Sequence, residues 1–138
     1  MSQLDADFTY FEERLADPTL LRQSVIVTTA TGVIGVAVPV GGRRRGGYLP
    51  LSTRRDCRAA MRQLREYPDR FPNLRVIWAD THQAVHTVCW GEIEPETPPL
   101  DASDAEWAEY DRAAGAYYGY SERAIEELVV GLWGGQQP

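Results

Sequence analysis

The sequence predicts an α+β fold in which an antiparallel sheet of four to five strands packs with an amphipathic, arginine-rich helix and a C-terminal helical pair. Several apolar segments are rich in β-branched residues, which favours strands. Four other segments place apolar residues at helical spacing. With 138 residues and 43% hydrophobic content, the chain predicts a single domain over residues 1–138.

The N-terminal segment predicts a helix, because Leu4, Phe8, Phe11 and Leu15 recur on one helical face. We expect this helix to end near Asp17. Asp17 followed by proline is typical of an N-cap and the first helical position, which predicts a short second helical turn.

The strands form two predicted pairs. The first pair is a hairpin with its turn at Thr31-Gly32, and an arginine-rich loop and a short returning strand follow it. The second pair is joined across residues 80–83. The five predicted strands are Ser24–Ala30, Val33–Val40, Tyr48–Leu51, Leu74–Ala79 and Ala84–Trp90.

The clearest amphipathic helix follows Thr53, with an apolar stripe of Cys57, Ala60, Met61 and Leu64 facing away from its arginines. Residues 92–102 are acidic and proline-rich, which predicts an extended connection within the domain.

The C-terminal helical pair begins at a capping box formed by Ser103 and Glu106. We expect a break near Gly119 and a second helix over Glu122–Trp133, before a frayed tail at 134–138. The predicted inward residues of that second helix are Ile125, Leu128, Val129 and Leu132.

Charge is strongly segregated along the chain, whose net charge is −6. Residues 43–75 carry ten arginines and three acids, whereas residues 76–138 carry two arginines and twelve acids. All basic residues are arginine, the side chain best suited to bidentate contacts with anions. This pattern points to surface charge as the main functional signal.

The segment PVGGRRRGGYLPL, residues 39–51, does not match a nucleotide-binding motif. It lacks the lysine and hydroxyl residue of a P-loop, the GxGxxG spacing of a dinucleotide fingerprint, and a helix directly behind it. Three interpretations stay open: a solvated or self-neutralised loop tip, a site for phosphate or nucleic acid, and a contact for an acidic protein. Glu106, Glu109 and Asp111 are candidate neutralising carboxylates. The predicted anion-binding residues are Arg43, Arg44, Arg45, Arg54, Arg55, Arg58 and Arg62.

The run VAVPVGGRRRGGYLPL, preceded by FEERLADPTLL, resembles a family of small uncharacterised actinobacterial proteins, a domain of unknown function in streptomycetes. The resemblance covers roughly residues 8–67. It implies a bacterial accessory protein and assigns no catalytic residue.

Histidine and cysteine give no strong signal for a metal or a nucleophile. His86 and Cys89 fall on opposite faces of their predicted strand, and His82 lies in the adjoining turn, so we predict no metal site and no cofactor. Cys57 and Cys89 are predicted to be reduced and buried. A small hydrolase or transferase using Asp80, His82 and Cys89 stays open as an alternative, but no catalytic residue is predicted.

We therefore predict a small non-enzymatic binding or regulatory protein that acts through a macromolecular partner, most readily another protein. One alternative is a nucleic-acid or phosphate binder that uses the arginines. Another is an inhibitor or immunity-type protein whose acidic C-terminal section mimics a nucleic acid. The acidic N-terminus and the absence of a long apolar run predict a cytoplasmic protein with no membrane segment.

Overall fold

A computed structural model describes residues 2–79 and 85–134 of the chain and has the predicted α+β composition. These residues form four α-helices and five strands. A short 3-10 helix at Pro18–Gln23 follows the first α-helix, and a π-helical turn at Val130–Gly134 follows the last one. In chain order the main elements are α1 (Gln3–Arg14), β1 (Val25–Thr29), β2 (Gly32–Ala37), β3 (Gly46–Leu51), α2 (Arg54–Leu64), β4 (Arg75–Ile77), β5 (His86–Gly91), α3 (Asp104–Tyr117) and α4 (Glu122–Val129).

The single sheet of four to five strands is not confirmed, because the five strands divide into two antiparallel sheets. β1 and β2 form a two-stranded hairpin, with Val25 opposite Ala37 and Thr29 opposite Gly32. The other sheet has the order β3-β5-β4, so that the short strand β3 pairs with β5 and not with β2. The hairpin turn lies at residues 30–31, one residue earlier than predicted.

The backbone beyond β2 is held by side chains instead of a neighbouring strand. The carbonyl of Val38 accepts hydrogen bonds from Trp90 Nε1, at 3.0 Å, and from Arg44 Nε, at 3.3 Å. Pro39 has no N–H to donate to a ladder. The first sheet therefore ends at Ala37, and the chain is free to turn into the arginine loop.

Helix α2 covers the main core, which both sheets share. Its buried residues pack with Val27 of β1, Leu49 and Leu51 of β3, and Val88 and Trp90 of β5. Two smaller clusters complete the interior: Leu15, which follows α1 directly, packs with Val36 of β2, and α3 packs on α4 through Ala108, Ile125 and Val129. The arginine loop lies where these clusters meet, since it hydrogen-bonds to the end of α3.

Several predicted helix signals are confirmed. Asp17 caps the 3-10 helix with proline at its start, Thr53 caps α2, and Ser103 and Glu106 form the predicted capping box. The prediction that Leu128 and Leu132 point inward is wrong, because their side chains are about half exposed, at 46% and 50%. Helix α3 covers only the stripe of α4 that carries Ile125 and Val129, and the π-helical turn then changes the spacing.

The connection over residues 92–102 contains no helix or strand, as predicted. None of the helices in the part of the chain that the structure describes is long and apolar enough to span a membrane. The predicted turn at residues 80–83 and the tail beyond Gly134 lie outside the described residues.

Candidate functional site

The three arginines of the loop have different environments. The loop is closed by a pair of backbone hydrogen bonds between Gly41 and Arg44, at 2.8 and 3.0 Å. Arg43 at the tip and Arg45 after it are exposed, whereas Arg44 is only 4% exposed. The loop therefore presents two arginines to solvent and directs the middle one inward.

Arg44 is buried without a carboxylate counter-ion in the described part of the chain. Its Nη1 donates to the carbonyl of Tyr118 at 2.9 Å, and its Nε donates to the carbonyl of Val38. Nη2 donates to no protein acceptor among the described residues, and it is open to solvent, since those residues contain no buried side-chain nitrogen without a partner. A buried arginine that retains an unused donor is a strong candidate for an anion contact.

Aromatic rings lie close to the Arg44 guanidinium. Its guanidinium carbon lies 5.6 Å from the ring centre of Phe11 and 5.9 Å from that of Tyr118. Tyr118 contacts both Tyr48 and Tyr120, with ring centres 5.5 and 5.9 Å apart. The distances to Phe11 and Tyr118 are within cation–π range, so these two rings compensate part of the desolvation of the cation.

The arginine and these rings line an open cleft of about 400 Å³ between α1, the end of β2, β3 and the turn after α3. We call it the Arg44 cleft. Asp7 is the one carboxylate that lines it among the described residues, and its Oδ1 accepts a hydrogen bond from Gln3 at 2.7 Å. The residues that line the cleft are Gln3, Asp7, Tyr10, Phe11, Ile34, Gly35, Val36, Arg44, Tyr48, Leu49, Pro50, Tyr118 and Tyr120.

Burial shifts the pKa values of Arg44 and of three tyrosines in the cleft. Desolvation raises the pKa of Tyr48, Tyr118 and Tyr120 above the ordinary tyrosine value. Burial also lowers the pKa of Arg44, although an arginine starts so far above neutrality that it stays charged. At neutral pH the cleft thus combines one cation with neutral phenols that can donate hydrogen bonds.

Two glycines make room for Arg44. A β-carbon at Gly47 would collide with Arg44 Nη2 and would lie 2.8 Å from the ring of Trp90. Gly119, whose φ is +73°, lies against the backbone of Arg44, where a β-carbon would come within 2.6 Å. Gly47 and Gly119 therefore allow close packing around Arg44.

Helix α2 carries a second set of arginines, which we call the arginine face: Arg54, Arg55, Arg58, Arg62 and Arg65. All five are exposed, since the opposite side of the helix is buried through Cys57, Ala60 and Leu64. At 1.5 Å per residue they extend over about 16 Å of helix. None of the five has a carboxylate within ion-pair distance among residues 2–79 and 85–134.

A groove of about 500 Å³ runs between the arginine face and β4. Arg55, Arg58, Arg62 and Arg65 line one side of it, and Trp78 lines the other. Trp78 is 43% exposed, and the guanidinium of Arg54 lies 4.6 Å from its ring centre. The groove therefore offers several cations beside an accessible aromatic ring.

The structure does not bring the seven predicted anion-binding residues into one site. The cavities lined by the loop arginines share no lining residue with the groove on α2. Self-neutralisation of the loop involves Arg45, which lies 3.6 Å from Glu92 and not beside the predicted carboxylates of α3. Among those, Asp111 instead accepts a hydrogen bond from Trp133 Nε1 at 2.7 Å.

The cysteines have the predicted packing role. Both are free and fully buried, and burial raises the pKa of Cys89 to about 11, which keeps its thiol protonated at neutral pH. His86 Nδ1 accepts a hydrogen bond from the backbone of Ala79 at 2.9 Å. The described residues contain no cluster of three metal-ligating side chains. Asp80 and His82 lie outside the described residues.

Sequence reasoning missed the aromatic half of the Arg44 cleft. Of Tyr117, Tyr118 and Tyr120, the first is buried and the other two are half-buried. The available signal was that these three tyrosines lie close together around Gly119, where the helical pattern of apolar residues ends. Tyr48 and Tyr10 carried no such signal, because their partners are distant in sequence.

Comparison with known proteins assigns no activity. The model of DUF6302, a family of unknown function, matches residues 2–133, far more than the segment over which the sequence resemblance was noted. No curated protein and no solved structure matches the chain significantly.

Proposed function

We propose that this chain, which belongs to the DUF6302 family, is a non-enzymatic binding protein whose arginine face contacts a nucleic acid. The observation that best supports this proposal is that five arginines on one helix are exposed and have no ion-pair partners among the described residues. They occur in a protein whose net charge is −6. Like charges on one helix face repel one another unless anions lie close to them. A partner that carries regularly spaced phosphates would relieve that repulsion.

Rigidity supports this proposal. Helix α2 is anchored by buried residues on the main core, so the arginines are presented from a fixed frame. Their extent, about 16 Å, spans on the order of five phosphates of one strand at about 3.4 Å each. An acidic protein partner would need to match the same rigid spacing with carboxylates.

Trp78 favours a single-stranded partner over a duplex. An exposed aromatic ring beside a row of cations is the arrangement on which unpaired bases stack. Arg54 already stacks on this ring, and a base could take the place of the guanidinium or lie against it. A cytoplasmic location, which the sequence predicts, would give access to such a partner.

The experiment is a fluorescence-anisotropy titration of labelled single-stranded and duplex oligonucleotides with the full chain at several salt concentrations. We expect single strands to bind more tightly, with log K falling linearly against log salt. Replacing Arg55, Arg58 and Arg62 together by alanine should weaken binding and reduce the salt slope by about 2, or about 0.7 per lost phosphate contact.

The matched control removes three arginines that have carboxylate neighbours: Arg14, Arg112 and Arg123, each within 4 Å of a glutamate oxygen. It changes the net charge equally and should leave the salt slope unchanged. If neither single strands nor duplexes bind at low salt, or if both triple variants lose affinity alike, the proposal is wrong. Preferential duplex binding would retain the arginine face and remove the role of Trp78.

The acidic section supports one further candidate, an inhibitor that mimics a nucleic acid. The acids of α3 and α4 are mostly exposed, and only Glu126 and Glu127 among them form ion pairs in the described structure. Such a protein would bind a basic partner through α3 and α4. Its binding would be lost on charge reversal of Glu106 and Glu109 and would be unaffected by the triple variant of α2.

A further inference from the structure

The Arg44 cleft has the features of a small-molecule site, separate from the arginine face. Pockets for small ligands usually have volumes of roughly 300–1,000 Å³ and apolar or aromatic walls with a few fixed polar groups. This cleft has about 400 Å³, aromatic walls, and one buried guanidinium. We propose that it binds a small aryl monocarboxylate.

Arg44 supplies the reason for an anion. It is 4% exposed, and the described structure places no carboxylate within ion-pair distance of it. Its two donated hydrogen bonds go to neutral carbonyls, and Nη2, which has no protein acceptor among the described residues, is open to solvent and free to contact a ligand. A cation buried without a counter-ion is costly, so a ligand carboxylate would gain both charge compensation and a charge-assisted hydrogen bond.

The walls supply the reason for an aryl group. Tyr48, Tyr118 and Tyr120 form a continuous aromatic surface, and Phe11 closes the side nearest the guanidinium. Offset and edge-to-face contacts with such rings favour a flat ligand over a branched one. Burial raises the pKa of Tyr48, Tyr118 and Tyr120, so these phenols keep their protons at physiological pH and can donate hydrogen bonds.

Asp7 supplies the reason for a single negative charge. It is half-buried and lines the same cleft, so that a ligand bound to Arg44 would feel one cation and one nearby anion. A phosphate monoester, with close to two negative charges, would be repelled more by Asp7 than a carboxylate would. This distinguishes the cleft from the arginine face, where five cations suit a polyanion.

The test is calorimetric titration of the full chain with benzoate, phenylacetate and cinnamate, each compared with its neutral amide. The amide keeps the shape of the acid and removes its charge. We expect at least one carboxylate to bind saturably at a single site and its amide to bind about tenfold more weakly or worse, since charge-assisted hydrogen bonds are roughly twice as strong as neutral ones. Phenyl phosphate should bind more weakly than the best carboxylate.

Two tyrosine variants locate the site. Tyr48→Ala removes a wall of the cleft and should weaken binding several-fold, whereas Tyr67→Ala should not. The two rings are similarly exposed, at 49% and 40%, and Tyr67 lies outside the cleft. Arg44→Gln, checked for folding by circular dichroism, should abolish the preference for acid over amide. The triple variant of α2 should bind the carboxylate normally, which separates this test from that of the proposed function.

Three results would overturn the proposal: no saturable binding by any of the three acids, equal binding of acid and amide, or equal loss of binding in the two tyrosine variants. Tighter binding of phenyl phosphate would overturn the assignment of a monocarboxylate. Each result is obtained with the wild-type protein or with a surface variant, so none depends on Arg44→Gln being folded.

Discussion

Arg44 and the arginine face of α2 are the same residue type in opposite environments. Arg44 is buried, hydrogen-bonded to two backbone carbonyls and enclosed by aromatic rings. The arginines of α2 are exposed on a helix whose other side is in the core. A buried cation must be stabilised by its surroundings or by a ligand, whereas an exposed cation is hydrated and contributes little to stability. The two regions should therefore respond differently to substitution.

The largest expected effect concerns the space around Arg44. Gly47→Ala places a methyl group against Arg44 Nη2 and the ring of Trp90, both of which are buried. Overpacking of this kind costs about 3 kcal/mol of unfolding free energy, at the upper end of the usual range. Gly131→Ala is the control, because its added β-carbon has nothing within 4 Å apart from the adjoining backbone and neighbouring residues of its own helical segment. Chemical denaturation of both variants measures the difference, and equal stability would show that the cleft adapts easily.

A smaller loss is expected when the buried cation itself is removed. Arg44→Met keeps the length of the side chain but leaves the Tyr118 carbonyl without its donor, which costs about 2 kcal/mol. The Val38 carbonyl keeps its bond from Trp90. Arg43→Met, at the exposed tip, should change stability by less than about 0.5 kcal/mol. If Arg44→Met were instead more stable than wild type, the buried cation would destabilise the fold, and a binding role for Arg44 would be favoured.

The sequence predicted the elements well and their arrangement less well. Local signals located the helix caps at Asp17, Thr53 and Ser103, because a cap depends on residues within one turn. The pairing of β3 with β5 could not be predicted from local signals, since those strands are separated by α2 and β4 in the chain. The pattern of β-branched residues is the same whether strands join one sheet or two.

The candidate site was likewise predictable only where local sequence signals were sufficient. The exposed arginines of α2 were predicted by helical periodicity, which separates Arg58 and Arg62 from the buried stripe. The burial of Arg44 was not predictable, because it depends on Tyr118 and Trp90 and on the glycines that let them approach. Three adjacent arginines carry no local signal that distinguishes the middle one.

The smallest expected effect tests the ion pair that Arg45 of the loop forms within the described part of the chain. Arg45 Nε lies 3.6 Å from Glu92 Oε2, and both side chains are about two-thirds exposed, at 65% and 66%. An exposed pair of this kind contributes about 0.5 kcal/mol or less and is screened by salt. Glu92→Gln should therefore lower the unfolding free energy only slightly, and the difference from wild type should vanish as salt is raised.

Glu96→Gln is the matched control for that change, because Glu96 is an exposed acid of the same connection and forms no ion pair with the described residues. A loss above about 1.5 kcal/mol for Glu92→Gln alone would exceed what an exposed pair supplies. Arg45 would then stabilise the fold as Arg44 does. The exposed arginines to be compared with Arg44 would be only Arg43 and those of α2.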